Sequence, residues 1–145
     1  MIRLFSRNKK KEDNTSSVSQ GQINGGRKIC IFGGTFDPIH LGHLRMAAQA
    51  VKVFSLDKMI FMPSGSSYLK SNVTSPDNRL KMTELAVEDF RNDKSSGFYE
   101  SIIDCEFTVS DIEIRREGKT YTYETLEDMR KLYPEDTLYF LVGED

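Results

Sequence analysis

His40 and His43 are the two histidines of this chain, and they closely follow a glycine pair, Gly33 and Gly34. Glycine lacks a Cβ, so the backbone can turn sharply there and a ligand can approach the main chain. The start of a helix leaves N–H groups unpaired and carries about half a positive charge, so it attracts anions. Histidines at i and i+3 share one face of that turn and add side-chain donors. The stretch therefore predicts a site for an oligophosphate.

Other interpretations of this stretch are weaker. His40 could simply cap a helix while His43 packs, but both histidines of the chain lie beside the glycine pair, which favours a function. Neither the dinucleotide pattern G-x-G-x-x-G nor the Walker pattern G-x-x-x-x-G-K-[ST] occurs here. Asp37 is a metal ligand by type, yet a zinc site needs further His or Cys ligands at suitable spacing. The chain has no third histidine, and Cys30 and Cys105 are far apart in sequence, so we predict no protein-bound metal.

Alternating strands and helices are predicted to position this stretch. An apolar run precedes the glycines, and apolar residues at helical spacing follow the histidines. Ser75 and Pro76 are typical of a helix cap and a first helical residue, and Thr122 is expected to cap a later helix. The order predicts an α/β fold, a parallel sheet with flanking helices that is Rossmann-like in the broad sense. The predicted strands are 28–32, 59–62, 101–115 and 137–142, and the predicted inward helix residues are Leu41, Leu44, Ala48, Val51, Met82, Leu85, Ala86, Phe90, Leu126, Met129 and Tyr133.

Two cations are predicted near this site. Lys70 lies in a loop past the carboxyl end of the strand at 59–62, where loops face the same crevice as the glycine turn. Its ammonium could contact a phosphate, although most loop lysines face solvent. Arg79 is expected in the first turn of the next helix, an unfavourable place for a cation. Two interpretations of Arg79 stay open: an anionic ligand relieves the repulsion, or the side chain is exposed.

The composition indicates one domain with a polar extension. The chain has 145 residues, 38% of them hydrophobic, which is enough for a single core. Residues 1–27 carry six Lys or Arg against two acids, so we predict a disordered polar basic tail there and a domain at 28–145. With a net charge of −2, nothing in the overall charge argues for nucleic acid or an anionic membrane, and we predict neither as a partner. Unpaired cysteines and the lack of a bilayer-length apolar run predict a cytoplasmic location.

The run at 33–43, Gly-Gly-Thr-Phe-Asp-Pro-Ile-His-Leu-Gly-His, resembles the signature of the nicotinate mononucleotide adenylyltransferases, within the HxGH nucleotidyltransferases. Three later stretches, 110–114, 120–126 and 141–145, are similar to further motifs of that family, so the resemblance covers about residues 28–145. It implies a Rossmann-like nucleotidyltransferase that transfers AMP from ATP to nicotinate mononucleotide. The products would be nicotinate adenine dinucleotide and pyrophosphate, in NAD biosynthesis, with Mg²⁺ arriving with ATP. The alternatives are another HxGH adenylyl- or cytidylyltransferase and a truncated, non-catalytic nucleotide-binding remnant.

The resemblance also implies roles for individual residues. His43 is expected to be the more important catalytic histidine, with His40 positioning phosphate. Lys70, Tyr121 and Thr122 are expected to contact the mononucleotide. The resemblance further implies C-terminal elements beyond residue 145 and leaves open a homo-oligomer and the nicotinate or nicotinamide form of the substrate. The implied ATP contacts are Gly33, Gly34, Thr35, Phe36, His40, His43, Gly143 and Asp145.

Overall fold

A computed structural model describes residues 3–6, 26–65 and 72–142 of the chain. The strands in these residues are β1 Arg3–Ser6, β2 Lys28–Gly34, β3 Lys58–Pro63, β4 Glu106–Val109 and β5 Thr137–Val142. The helices are α1 Leu41–Phe54, α2 Pro76–Asn92, α3 Tyr99–Ile102, α4 Ile112–Arg115 and α5 Thr122–Leu132. No helix in these described ranges is both long and apolar enough to cross a membrane.

The strands form a single sheet in the order β1-β5-β2-β3-β4. β2 pairs in parallel with both β3 and β5, and β3 pairs in parallel with β4. The chain therefore proceeds outward on one side of β2 and returns on the other, so the strand order reverses beside β2. Open α/β sheets bind ligands in the crevice at such a reversal, at the carboxyl ends of the strands. This architecture confirms the predicted parallel α/β fold.

Both faces of the sheet are covered, which explains why its strands are apolar almost throughout. Cys30 and Phe32 of β2 pack in a core that also contains residues of α1, α2 and α3. The alternate residues Ile29 and Ile31 pack in a second core with Met129 of α5. The two clusters follow the period-2 alternation of a strand and place the helices on opposite faces.

The tail prediction is wrong for the few tail residues that the structure describes. Arg3–Ser6 forms β1 and pairs antiparallel with β5, with Arg3 opposite Val142. The backbone of Arg27 is also bonded to the start of β5, because its carbonyl oxygen accepts a hydrogen bond from Thr137 N at 2.9 Å. Backbone pairing to a sheet edge does not require the apolar side chains on which the prediction was based. The remaining tail residues lie outside the described part of the chain.

The segment predicted as one strand at 101–115 is divided among α3, β4 and α4. Ser110 Oγ accepts a hydrogen bond from Ile112 N at 3.3 Å, and Arg115 N donates to Asp111 O at 2.9 Å. A serine that bonds its backbone two residues ahead opens a turn, and this contact competes with strand pairing. The alternation of Ile112 and Ile114 with charged residues was therefore a misleading signal.

Helix starts and inward faces agree with the prediction only in part. Ser75 caps α2 as predicted, because its hydroxyl accepts from Asn78 N at 3.4 Å, and Pro76 is its first residue. α5 is instead capped by Tyr121, whose N–H donates to Glu124 Oε2 at 3.3 Å, so Thr122 is its first residue. Leu41 and Leu85 were predicted to be buried but are 57% and 56% exposed. The buried face of α2 runs instead through Arg79, Thr83, Val87 and Phe90, which recur at helical spacing.

Candidate functional site

The two histidines bind the backbone at the start of α1. His40 is the N-cap, and its Nδ1 accepts a hydrogen bond from Gly42 N at 3.1 Å. His43 Nδ1 accepts from His40 N, also at 3.1 Å. A ring nitrogen that accepts carries no proton, so each neutral imidazole has its proton on Nε2. The backbone thereby fixes the tautomer of both rings, with Nε2–H as the donor of each.

This arrangement modifies the anion site that the helix start predicts. The N–H groups of His40 and Gly42 are used by the imidazoles, and the N–H groups of His43 and Leu44 both donate to His40 O, at 3.0 and 3.3 Å. These four N–H groups already have acceptors, so the imidazole Nε2–H groups add donors at the helix start. Each ring accepts one backbone N–H at Nδ1 and can donate from Nε2 on its opposite side. The donor at Nε2 therefore lies farther out from the helix terminus, by the width of the ring.

Aromatic side chains fix the position of the histidine pair. The rings of His40 and His43 lie with their centroids 3.8 Å apart and 33° between planes. Phe36 meets the His43 ring edge-on at 5.1 Å and 90°, and Phe32 lies 6.1 Å from it. Phe36 is 2% exposed, so its side chain supports His43 from the side of the protein core. His43 is half-buried on this backing, whereas His40 is exposed.

Gly42 has a steric role that we did not predict. A Cβ at this position would lie 2.8 Å from His40 Cε1 and 2.9 Å from His40 Nδ1, closer than non-bonded atoms allow. Any side chain there would displace the imidazole from its cap. In the sequence, the signal for this steric role was the glycine that lies between the two histidines of the HxGH pattern. Gly34 is similarly close to Phe36, because a Cβ on Gly34 would lie 3.0 Å from Phe36 Cε1.

The turn between β2 and α1 is held by Arg79 of α2 and by Thr74, which lies just before that helix. Arg79 is 1% exposed and donates to three carbonyl oxygens, Thr35 O at 2.7 Å, Thr74 O at 2.9 Å and Gly65 O at 3.1 Å. The exposed interpretation of Arg79 is therefore wrong, and burial lowers the pKa of its guanidinium. Asp37, in the same turn, accepts from Thr74 N at 2.9 Å. Hydrogen bonds from Thr74 lower the pKa of the Asp37 carboxyl, which favours its ionised form.

Tyr121 and Thr122 lie at the start of α5, where the structure shows exposed aromatic rings. Tyr121 stacks on Tyr123 with centroids 5.8 Å apart and 20° between planes, and the two are 49% and 61% exposed. The segment leading to them packs against the end of β3, because a Cβ on Gly65 would lie 2.6 Å from Glu113 O. The start of α5 is thus joined to the strand end that Arg79 holds.

A polar network fixes α5 against the residues that precede it. Thr125 donates to Glu113 Oε1 at 2.8 Å, and Arg116 donates to Thr125 Oγ1 at 3.1 Å and to Asp128 Oδ2 at 2.6 Å. Burial raises the pKa of the Glu113 carboxyl, and the contacts with Thr125 and Arg116 offset this only in part. Sequence reasoning did not identify this network, since its members come from separate turns of the chain.

Other predicted residues lie elsewhere or beyond the described ranges. Lys70, Gly143 and Asp145 fall outside the described residues, so their roles stay predictions. Within 26–65 and 72–142 no group of three or more His, Cys, Asp or Glu side chains could hold a metal ion. Cys30 and Cys105 are buried free thiols, and burial raises the pKa of each to about 12. Thiols that remain protonated at neutral pH are poor nucleophiles.

Comparison with known proteins shows consistent similarities. The probable nicotinate-nucleotide adenylyltransferase of Desulfitobacterium hafniense is 45% identical over 121 residues, covering 82% of this chain and 52% of that relative. The probable enzyme of the same name from Clostridium tetani is 43% identical over 121 residues, covering 82% of this chain and 54% of its own length. The chain therefore spans about half the length of the curated relatives it matches.

A solved structure shares the fold. Plasmodium falciparum nicotinic acid mononucleotide adenylyltransferase complexed with NaAD superimposes with a TM-score of 0.63 at 24% identity, over 79% of this chain and 50% of that one. A structure of the Plasmodium falciparum protein complexed with APC gives a TM-score of 0.58 at 24% identity, over 79% of this chain and 49% of that one. These likenesses confirm the Rossmann-like nucleotidyltransferase fold.

The match to a family model covers nearly all of the described domain. The cytidylyltransferase-like model matches residues 31–145, from the middle of β2 through both histidines and β5. The resemblance to nicotinate mononucleotide adenylyltransferases is confirmed by the named relatives. The chain belongs to the cytidylyltransferase-like family of nucleotidyltransferases.

Proposed function

We propose that this chain forms the ATP-binding and catalytic part of a nicotinate-nucleotide adenylyltransferase. It would transfer AMP from ATP to nicotinate mononucleotide and release pyrophosphate, in NAD biosynthesis. The observation that supports this most is the pair of imidazoles whose tautomers the helix start fixes, beside the reversal of strand order at β2. The proposed acceptor, nicotinate mononucleotide, is inferred from the names of the relatives.

The reaction needs binding and electrostatics more than proton transfer. The nucleophile is a phosphate oxygen of the mononucleotide, which is ionised at neutral pH, so no general base is required. That oxygen bonds to the α-phosphorus of ATP as the bond to the β-phosphate breaks, and the electron pair leaves with pyrophosphate. Catalysis then consists of aligning two anions and stabilising the charge that grows on the leaving group.

The described residues can perform these tasks. His43, held from below by Phe36, is proposed to donate from Nε2 to the phosphate whose charge grows. His40 is more exposed and is proposed to position the outer phosphates of ATP. Because both rings donate in their neutral form, they can bind an anion without first taking up a proton. Gly33 and Gly34 lie half-buried at the end of β2 and are proposed to contact ATP through their main chain. Their missing Cβ atoms leave room for the rings of Phe140 and Phe36.

The remaining contacts follow from the family resemblance and are part of the same proposal. Lys70 would contact phosphate, Gly143 and Asp145 the adenosine side, and Tyr121 and Thr122 the pyridine side. Mg²⁺ would enter with ATP as part of the substrate and would supply positive charge beside the phosphates. We propose a cytoplasmic location for this reaction.

The test is pyrophosphate release by this polypeptide, supplied with ATP, Mg²⁺ and one of three acceptors: nicotinate mononucleotide, nicotinamide mononucleotide or phosphopantetheine. We expect release with nicotinate mononucleotide, and a drop of about 10²–10³ in turnover for His43→Ala, the usual cost of removing one donor aimed at developing charge. Undiminished turnover in that variant would contradict the role of His43. Release with phosphopantetheine instead would indicate another HxGH transferase, and ATP binding without release would indicate a non-catalytic remnant.

A further inference from the structure

We propose that Arg79 is a positioning residue that holds the phosphate side and the mononucleotide side of the site in one fixed arrangement. The inference rests on the proposed function and assigns a role to a residue outside the family signature. Its basis is that one buried guanidinium joins three separate segments of the chain, all of them at the carboxyl-end edge of the sheet.

The contacts of Arg79 span long stretches of sequence. Its Nε donates to Thr74 O, five residues away, its Nη2 to Gly65 O, 14 residues away, and its Nη1 to Thr35 O, 44 residues away. These acceptors belong to the entry of α2, the end of β3 and the turn after β2. Each is a main-chain oxygen, so moving the guanidinium would move the backbone itself.

On the phosphate side, the turn is held at two points. Arg79 holds Thr35 O, and two residues later Asp37 accepts from Thr74 N, whose own carbonyl is bound to Arg79. These contacts close a ring of hydrogen bonds. Phe36 lies between the two held residues, and its buried side chain is the edge-on support of His43. A displacement of Arg79 would therefore move the buried ring of Phe36, and the movement of this ring would displace the imidazole pair.

On the mononucleotide side, the connection passes through Gly65. Arg79 holds the oxygen of this residue, and a Cβ on it would lie 2.6 Å from Glu113 O and 3.5 Å from Thr120 Oγ1. The backbone leading to Tyr121 therefore packs directly against the residue that Arg79 holds. A shift of Gly65 would change the distance between the histidines and the start of α5, and in-line transfer is sensitive to that distance.

The geometry requires an arginine and not only a positive charge. A guanidinium presents donors on three nitrogens in a rigid plane, whereas lysine carries all its donors on one atom. One ammonium cannot reach three carbonyls that are arranged around the edges of a planar fork. A purely electrostatic role would be restored by Arg79→Lys, and a positioning role would not.

The two histidines provide a readout that does not depend on turnover. Histidine-selective ¹H–¹⁵N spectra of the wild-type chain above neutral pH should show both rings as the Nε2–H tautomer. In Arg79→Lys and in Arg79→Met we expect the ring signals to shift toward a mixture of tautomers. The dissociation constant for ATP with Mg²⁺, measured by calorimetry, should rise by about tenfold or more in both variants.

Arg91→Met is the matched control. Arg91 is also on α2 and donates to a carbonyl, Ile103 O at 2.7 Å, but at the opposite end of the helix. Its histidine spectra and ATP affinity should equal those of the wild type. Wild-type spectra in either Arg79 variant, rescue by lysine, or unfolding of both Arg79 variants by circular dichroism would each overturn the proposal. If the wild type does not bind ATP, the proposed function fails, and the spectra alone decide on Arg79.

Discussion

His40 and His43 each use one ring nitrogen to complete a helix and have the other as a donor. This makes the functional and the structural interpretations of the pair compatible, since His40 is in fact the cap of α1. The cap supplies what a phosphate site needs, because an imidazole that accepts at Nδ1 cannot place its proton there. A side chain that fixes its own tautomer through the backbone requires no further partner to be oriented as a donor.

Gly42→Ala tests whether the cap controls the ring. The Cβ would lie 2.8 Å from His40 Cε1 and should displace the imidazole. Losing a cap costs about 1 kcal/mol, and replacing a helical glycine by alanine recovers up to about 1 kcal/mol. We therefore expect nearly unchanged thermal stability but altered tautomer signals from His40, together with an ATP dissociation constant raised about tenfold.

The control for this variant is Gly97→Ala, since a Cβ at Gly97 would meet no atom within 4 Å. It should leave the histidine spectra and the ATP affinity unchanged. Wild-type ring signals in Gly42→Ala would show that the imidazole position does not depend on this close approach.

At the level of elements, the sequence predicts what is local and misses what is not. The glycine pair, the histidine spacing and the cap of α2 by Ser75 were predictable, because each depends on residues within one or two turns of the chain. The contacts of Arg79 were not predictable, since its acceptors come from three segments that only the folded sheet brings together. The short helix α4 was missed because a hydroxyl of Ser110 overrides an alternating apolar pattern.

The network between α4 and α5 gives an element-scale prediction on pH. Burial raises the pKa of Glu113, so the folded state binds this proton more tightly than the unfolded state does. The stabilising effect is full below the unfolded pKa and is lost as the pH rises through the folded value. At neutral pH the ionised carboxylate therefore carries a burial penalty that a neutral side chain avoids.

Glu113→Gln should consequently raise the melting temperature at pH 7, because the amide oxygen can still accept from Thr125. The difference from the wild type should shrink as the pH falls from the raised folded pKa of Glu113 toward the ordinary pKa of a glutamate. Thermal denaturation of both proteins from pH 4 to pH 8 measures this. Asp111→Asn, on an exposed residue of the same turn, serves as the control and should show no such gain. A gain for Glu113→Gln that is independent of pH would contradict the assignment.

At the scale of the whole molecule, the proposed site lies beside β2, where the order of the strands across the sheet reverses. β2 ends in the glycine pair, and Gly33 pairs with Val142 at the end of β5. β5 therefore pairs on one side with β2, at the proposed site, and on the other side with the edge strand β1. Stability at that edge and geometry at the site depend on the same strand.

Deletion of residues 1–6 tests this arrangement by amide hydrogen exchange. Successive N–H groups along a strand point to opposite neighbours, so β5 should donate alternately toward β1 and β2. Without β1, every second amide in 139–142 should exchange roughly tenfold faster, while the amides between them keep their protection. The amides of β3, which pairs with β2 and β4, are the internal reference. Faster exchange along all of β5 would mean that β1 supports the whole sheet, and unchanged exchange would mean that the edge is not paired in solution.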